Sequence, residues 1–178
     1  MMLNPLDNEN KKRIAITGFM GVGKSSVARH LAAITGWDRL DLDEFIERSL
    51  SVAIEHIIEN EGIAVYRNIE SQHLEKALRL YKPAILSLGG GTWTIESNRE
   101  IIKSEGYLTI WLEATFEHCW QNITKSRKRR PLARNKATAA EIFEERRSVY
   151  CLADWHIVVR PGSSSYDIAL QIAEEVCS

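Results

Sequence analysis

Short apolar runs alternate along the chain with stretches in which apolar residues recur every third or fourth position. Arg13-Ile14-Ala15-Ile16-Thr17 is the kind of run that a strand buried on both faces needs. Similar runs lie at Arg39–Leu42, Ala84–Leu88, Leu108–Leu112 and Trp155–Val159. Val27, Leu31 and Ile34 follow at helical spacing until Gly36 stops the helix. Helical patterns also cover Leu42–Ser49, Ala53–Asn60, Val65–Tyr81, Ser97–Ser104, Phe116–Lys125, Ala139–Cys151 and Ser165–Val176. Strands that alternate with helices predict an α/β fold, a three-layer αβα arrangement around a five-stranded parallel sheet. Right-handed crossovers then gather the C-terminal strand ends on one edge, where ligands bind.

Two stretches break the alternation. Residues 43–70 are mostly helical without a strand and are expected to fold over that edge. Residues 125–137 are basic, polar and poor in core residues, a composition suited to a mobile lid. At 178 residues the chain, 1–178, reads as one domain. Its net charge of −1 provides no field that favours nucleic acid or a membrane. No apolar run approaches the ~20 residues of a spanning helix. The polar start, MMLNPLDNENKK, reads as a loose tail and not as a signal peptide. Cys119, Cys151 and Cys177 have no metal-ligand spacing, and an odd number cannot fully pair; a reduced, cytoplasmic protein is expected, with a monomer as the default.

The chemistry concentrates after the first run. Gly18 to Ser25 read GFMGVGKS, the pattern of a phosphate-binding loop. Successive backbone N–H groups in such a loop form a concavity for phosphate oxygens, and the following helix adds its N-terminal partial charge. Gly21 and Gly23 let the backbone approach an anion. Lys24 reaches the β- and γ-phosphates, and the Ser25 hydroxyl is a ligand for Mg²⁺. A run, a glycine loop and a helix in that order are the context the motif requires.

Other candidates admit two readings each. Asp41 and Asp43 flank Leu42, and alternation along an extended segment would point both carboxylates the same way. One would then assist Mg²⁺ and the other orient or deprotonate a substrate hydroxyl. Alternatively, Asp43 is the cap of the helix that begins at Glu44-Phe45-Ile46. Arg67 and Arg146 are either solvated helix residues or anion ligands. Gly89-Gly90-Gly91 end an apolar run, and three glycines suggest close backbone approach to a ligand. The Lys125–Lys136 cluster, Arg130 included, is a solvated loop, a nucleic-acid contact, or a lid that carries an arginine to a transferring phosphate. No aromatic residue interleaves it. The five histidines have no metal spacing and read as structural or surface residues. No Asp ends the Ala84–Leu88 run, so a second protein partner for Mg²⁺ must lie elsewhere, and Asp41 is the candidate.

Taken together these pieces resemble the shikimate kinase family, from about Ile14 to Val159. The match comprises the GFMGVGKSS loop, D-L-D before F-I-E, Tyr66-Arg67 with Glu70, the glycine triplet, Arg130-Pro131-Leu132, and an Arg four residues before Tyr150. The resemblance implies a P-loop kinase, similar to the nucleoside monophosphate kinase fold, that transfers the γ-phosphate of ATP to the 3-hydroxyl of shikimate in aromatic amino-acid biosynthesis. It implies that Gly21, Val22, Gly23, Lys24, Ser25 and Ser26 hold ATP, and that Ser25 and Asp41 serve Mg²⁺. Asp43 would contact the ring hydroxyls. Arg67, Arg146 and the Gly89, Gly90 and Gly91 backbone would hold the carboxylate, and Arg130 would close onto ATP. The partners implied are ATP and shikimate, without nucleic acid or membrane. A kinase of a related polyol acid, an aminoshikimate or gluconate, is the alternative.

The chain departs from the family in places. Shikimate kinases show Arg-x-Pro-Leu-Tyr where this chain has Arg146-Arg147-Ser148-Val149-Tyr150, which leaves Arg146 and Arg147 in competition. The adenine-stacking arginine of the helix before the lid is absent from Gln121-Asn122-Ile123, so adenine contacts are expected to differ from the family's, with Arg160-Pro161 expected to border the adenine.

Overall fold

The middle strand of the sheet is β1 (Arg13–Thr17), which runs parallel to β3 (Ile85–Ser87) on one side and β4 (Tyr107–Glu113) on the other. The edges are β2 (Arg39–Asp41), beside β3, and β5 (Trp155–Val158), beside β4. This is a computed structural model, and it describes residues 12–127 and 130–178. Residues 1–11 of the expected tail, and Lys128 and Arg129 of the basic run, lie outside the described residues. Ile14, Ala15 and Ile16 are fully buried. That is the reason β1 is continuously apolar: both of its faces are covered.

Helices α1 (Lys24–Thr35) and α8 (Ser165–Ile172) pack together. The crossover β1–α1–β2 runs along the sheet in the opposite direction to the crossover from β3 through α5 (Glu96–Ser104) to β4. Right-handedness therefore places α1 and α5 on opposite faces. Three helices, α2 (Leu42–Leu50), α3 (Ile54–Glu61) and α4 (Ile63–Lys76), stand between β2 and β3. They make up the strandless segment expected from the sequence. α6 (Phe116–Lys125) and α7 (Lys136–Tyr150) link β4 to β5. Asp154 fastens β5 to its neighbour: its carboxylate accepts from the Thr109 N–H at 2.8 Å and from the Thr109 hydroxyl at 2.6 Å.

Boundaries moved where a side chain caps a helix. The expected strand Arg39–Leu42 ends at Asp41, because the Asp41 carboxylate accepts from the Glu44 N–H and starts α2 at Leu42. The cap is thus Asp41 and not Asp43. Asn135 does the same for Thr138, so α7 begins at Lys136, before the expected Ala139, and absorbs the end of the expected lid. The helix expected over Val65–Tyr81 starts at Ile63 and changes after Lys76 into a wider π-helical turn, Ala77–Tyr81. Among the described residues no helix is long and apolar enough to cross a membrane.

Candidate active site

The loop after β1 enters α1 through Gly23, whose φ of 103° places it in the left-handed region that favours glycine. No side chain caps α1, and its first turn contains no acid. Its N-terminal amides and partial positive charge are therefore left for an anion. Gly21 packs against α6, where an added Cβ would meet the Cys119 carbonyl at 2.6 Å. On the same side the Asn122 amide donates to the Gly21 carbonyl at 2.8 Å. Lys24 is buried, and its ammonium donates to the Gly18 and Phe19 carbonyls at 2.8 and 3.1 Å. Burial brings its pKa down to about 8 against the opposing pull of Asp43, with a further depression from Arg130. The Ser25 hydroxyl donates to Asp41 Oδ2 at 2.5 Å. Gly21, Gly23, Lys24, Ser25 and Asp41 line one compartment, together with Ser26, Asp43, Asn122 and Arg130.

A second compartment opens between α3, α4 and the loop after β3. Arg67 and Arg146 line it, along with Tyr66, Glu70 and the glycine triplet. Glu70 is fully buried and accepts from Arg67 Nη1 at 2.6 Å and from the Thr92 hydroxyl at 2.7 Å. The triplet serves for room, since none of its three residues has a positive φ. A Cβ on Gly89 would meet Glu70 Oε1 at 2.7 Å, one on Gly90 would meet Arg146 Nη1 at 3.4 Å, and one on Gly91 would fall on the Arg67 guanidinium. Tyr150 donates to the Gly90 carbonyl, which ties α7 to the triplet. Burial pushes the Tyr150 pKa up to about 12, while the charge of Arg146 and its hydrogen bond to the phenol oppose the rise.

The two compartments share a wall made of Met20, Asp43, Gly90 and Arg130. Burial lowers the Arg130 pKa, and the carboxylates of Asp43 and Glu55 oppose it. The structure thus gathers Gly21, Gly23, Lys24, Ser25, Ser26, Asp41 and Asp43 on one side, and Arg67, the triplet and Arg146 on the other. Because α2 begins at Leu42, helix geometry and not strand alternation brings Asp41 and Asp43 to the same compartment. Arg146 faces the second compartment, whereas Arg147 points outward toward Glu113 at 3.8 Å.

Two residues expected at ATP, Val22 and Arg160, do not line either compartment with their side chains. The Val22 side chain is buried in the core and its N–H donates to the Phe19 carbonyl. Arg160 is exposed in the turn after β5 and lines neither compartment. Ile54, Glu55 and Ile58 of α3 also line the site and belong to no motif in the sequence, whereas Met20, Glu70 and Leu132 lie within or beside the quoted motifs.

The family model described as shikimate kinase matches residues 20–177. The chain belongs to the shikimate kinase family. It is 33% identical over 172 residues to the shikimate kinase of Cereibacter sphaeroides, covering 94% of this chain and 84% of that one. It is also similar to a shikimate kinase from Acinetobacter baumannii solved in complex with shikimate, with TM-score 0.84, 30% identity and 93% of each chain covered. The shikimate kinase of Aquifex aeolicus aligns at TM-score 0.76 and 26% identity over 92% of this chain and 95% of that one. As a shikimate kinase family member, the chain is a phosphotransferase that phosphorylates shikimate from ATP.

Proposed function

We propose that the glycine-loop compartment binds the phosphates of Mg-ATP and that the arginine-lined compartment binds shikimate, with the 3-hydroxyl aimed at the γ-phosphorus. The observation that supports this most directly is the shared wall: Asp43 and Arg130 belong to both compartments, at the point where an acceptor oxygen and a terminal phosphate would meet.

Each residue then has a physical task. Arg67 and Arg146 present planar guanidinium forks to the acid's carboxylate, a match that an ammonium cannot make. Asp43 accepts the hydrogen bond of the 3-hydroxyl and aims its oxygen in line. The oxygen–phosphorus bond forms as the bond from the γ-phosphorus to the leaving ADP oxygen breaks, and the hydroxyl proton passes to Asp43. Such a transition state is loose and charged, so positioning and electrostatics provide most of the rate. Lys24 and Arg130 supply the cations on the nucleotide side. The Ser25 hydroxyl and the Asp41 carboxylate, 2.5 Å apart, are hard oxygen donors beside the phosphate cradle and suit Mg²⁺, which takes few protein ligands. When bound, Mg²⁺ neutralises charge on the β- and γ-phosphate oxygens.

Within one domain we take residues 43–70 as the acceptor-binding segment and 125–137 as the lid. A monomer in a reducing, cytoplasmic compartment fits the three free cysteines. The test is ADP release from Mg-ATP across a panel of shikimate, an aminoshikimate and gluconate. We expect turnover with the highest kcat/KM on shikimate. A higher value on another acid, or no turnover with any, would overturn the assignment.

A further inference from the structure

The phosphate loop turns at residues 19–22, where the Val22 N–H donates to the Phe19 carbonyl at 3.2 Å. Gly21 is the third residue of that turn, and its φ of 82° is one that glycine adopts without strain. The same freedom lets the peptides beside a glycine reorient. Helix α6 closes on this point. The Cys119 carbonyl and the Ile123 side chain lie 2.6 and 3.0 Å from where a Cβ on Gly21 would stand. Between them in sequence, Asn122 Nδ2 donates to the Gly21 carbonyl at 2.8 Å. A carbonyl can only accept, so the amide must present its nitrogen here. The same nitrogen lies 3.2 Å from His118 Nε2, one turn earlier on α6, which can take its second hydrogen. The Gly21–Val22 peptide is thus held at both ends, its oxygen by Asn122 and its N–H by Phe19. Asn122 lines the glycine-loop compartment and is absent from the lining of the acceptor compartment.

We propose that Asn122 is a positioning residue that acts through the Gly21 carbonyl and keeps the phosphate loop in the shape that receives a triphosphate. This rests on the reading of the glycine loop as the phosphate site of ATP. The loop binds an anion because its N–H groups face the compartment. A carbonyl turned into the same space would set its oxygen against the phosphate oxygens. Asn122 commits the Gly21 oxygen to α6, so the peptide does not sample that orientation. A loop that is ordered beforehand also loses less conformational freedom when the ligand arrives. The task of Asn122 is therefore done on the protein, with no part of the nucleotide as its partner.

The test compares Mg-ATP with inorganic tripolyphosphate and Mg²⁺, a ligand that has the phosphates and neither base nor sugar. Affinities are measured by calorimetry on the unsubstituted chain, Asn122→Leu and Asn122→Ala. Asn122→Leu, of similar size without a donor, should weaken both ligands by the same factor, roughly fivefold, the scale of one hydrogen bond. Asn122→Ala should do the same, which separates the lost donor from the bulk of leucine. The KM for ATP should rise by a like factor while the KM for shikimate stays within about twofold. An Asn122 that touched the base or the sugar would weaken Mg-ATP alone. An Asn122 that only stabilised α6 would lower the melting temperature and leave both affinities unchanged. Either result overturns the proposal. If the unsubstituted chain binds Mg-ATP but not tripolyphosphate, the loop is not preformed and the proposal fails while the phosphate-site reading stands. If it binds neither, that reading fails first, and the role of Asn122 falls with it.

Discussion

Arg67 Nη1 lies 2.6 Å from Glu70 Oε2, with the carboxylate fully buried and the guanidinium reaching the acceptor compartment. One turn of α4 thus carries both a guanidinium that faces the compartment and the carboxylate that aims it. The other Glu70 oxygen accepts from Thr92, so the aim of Arg67 is referred to the loop after β3. Glu70→Gln should keep this geometry while removing the charge, and shikimate affinity should fall by roughly tenfold, about 1.4 kcal/mol. ATP affinity should stay within a factor of about two, because the pair lines only the acceptor side. Glu70→Ala should in addition cost about 3 kcal/mol of stability, since a buried pair is broken and not replaced. Calorimetry with each ligand and denaturant unfolding read the three effects separately.

Gly91→Ala should act through the same guanidinium. The new methyl would occupy the place of the Arg67 head group, so the arginine must swing away. We expect the KM for shikimate to rise at least about tenfold with the KM for ATP little changed. Gly106→Ala is the control. Gly106 has φ of 78° and open space around it, so an added Cβ brings backbone strain alone. It should lower stability by about 1 kcal/mol and leave both KM values unaltered.

These two glycines show where the sequence stops being informative. A continuous apolar run such as Ile14–Ile16 declares a doubly covered strand, and G-K-S declares the phosphate cradle, because each is a local pattern with a local cause. The order of the motifs alone implies that Lys24, Asp43 and Arg67 gather around one edge. The reason for Gly91 is a side chain on α4, twenty-four residues earlier, and nothing near Gly91 names it. Ile54 and Ile58 carry the spacing of core positions, and their identity does not reveal that part of each lines a pocket. Asp41 and Asp43 both precede an amphipathic helix at cap-compatible positions. Only the backbone, extended at Asp41 and helical from Leu42, decides between them.

Neighbouring arginines on α7 should behave oppositely. Arg146 lines the acceptor compartment beside Gly90, and its neighbour Arg147 faces Glu113 in solvent. Arg146→Ala should raise the KM for shikimate by about two orders of magnitude, the loss of a charge-assisted hydrogen-bonded contact. Arg147→Ala should change it by less than about twofold, since exposed ion pairs contribute little. Steady-state kinetics on the two variants decide the matter, and equal effects would mean that α7 is rotated from the orientation described.

Lys24 makes the site sensitive to pH in a direction that can be worked out. Its pKa drops from 10.5 to about 8 in the folded chain, mainly because the ammonium is buried. Below about pH 8 both folded and unfolded chains hold the proton, and the folded chain bears the full cost of burying the charge. Between about 8 and 10.5 the unfolded chain binds more protons than the folded one, so this group's contribution to stability improves as pH rises. ATP binding should run the other way. Phosphates beside Lys24 favour the ammonium, so above about pH 8 the chain must take up a proton to bind ATP. Affinity should therefore weaken with rising pH, by at most about tenfold per unit. Calorimetry in two buffers of different ionisation enthalpy should show proton uptake at about pH 9 that exceeds uptake at about pH 7 by up to roughly one proton per ATP. Lys24→Arg, which cannot lose its charge in this range, should abolish the difference. An unsubstituted chain with the same uptake at both pH values would mean that the ammonium is already fully charged in the ATP-free site.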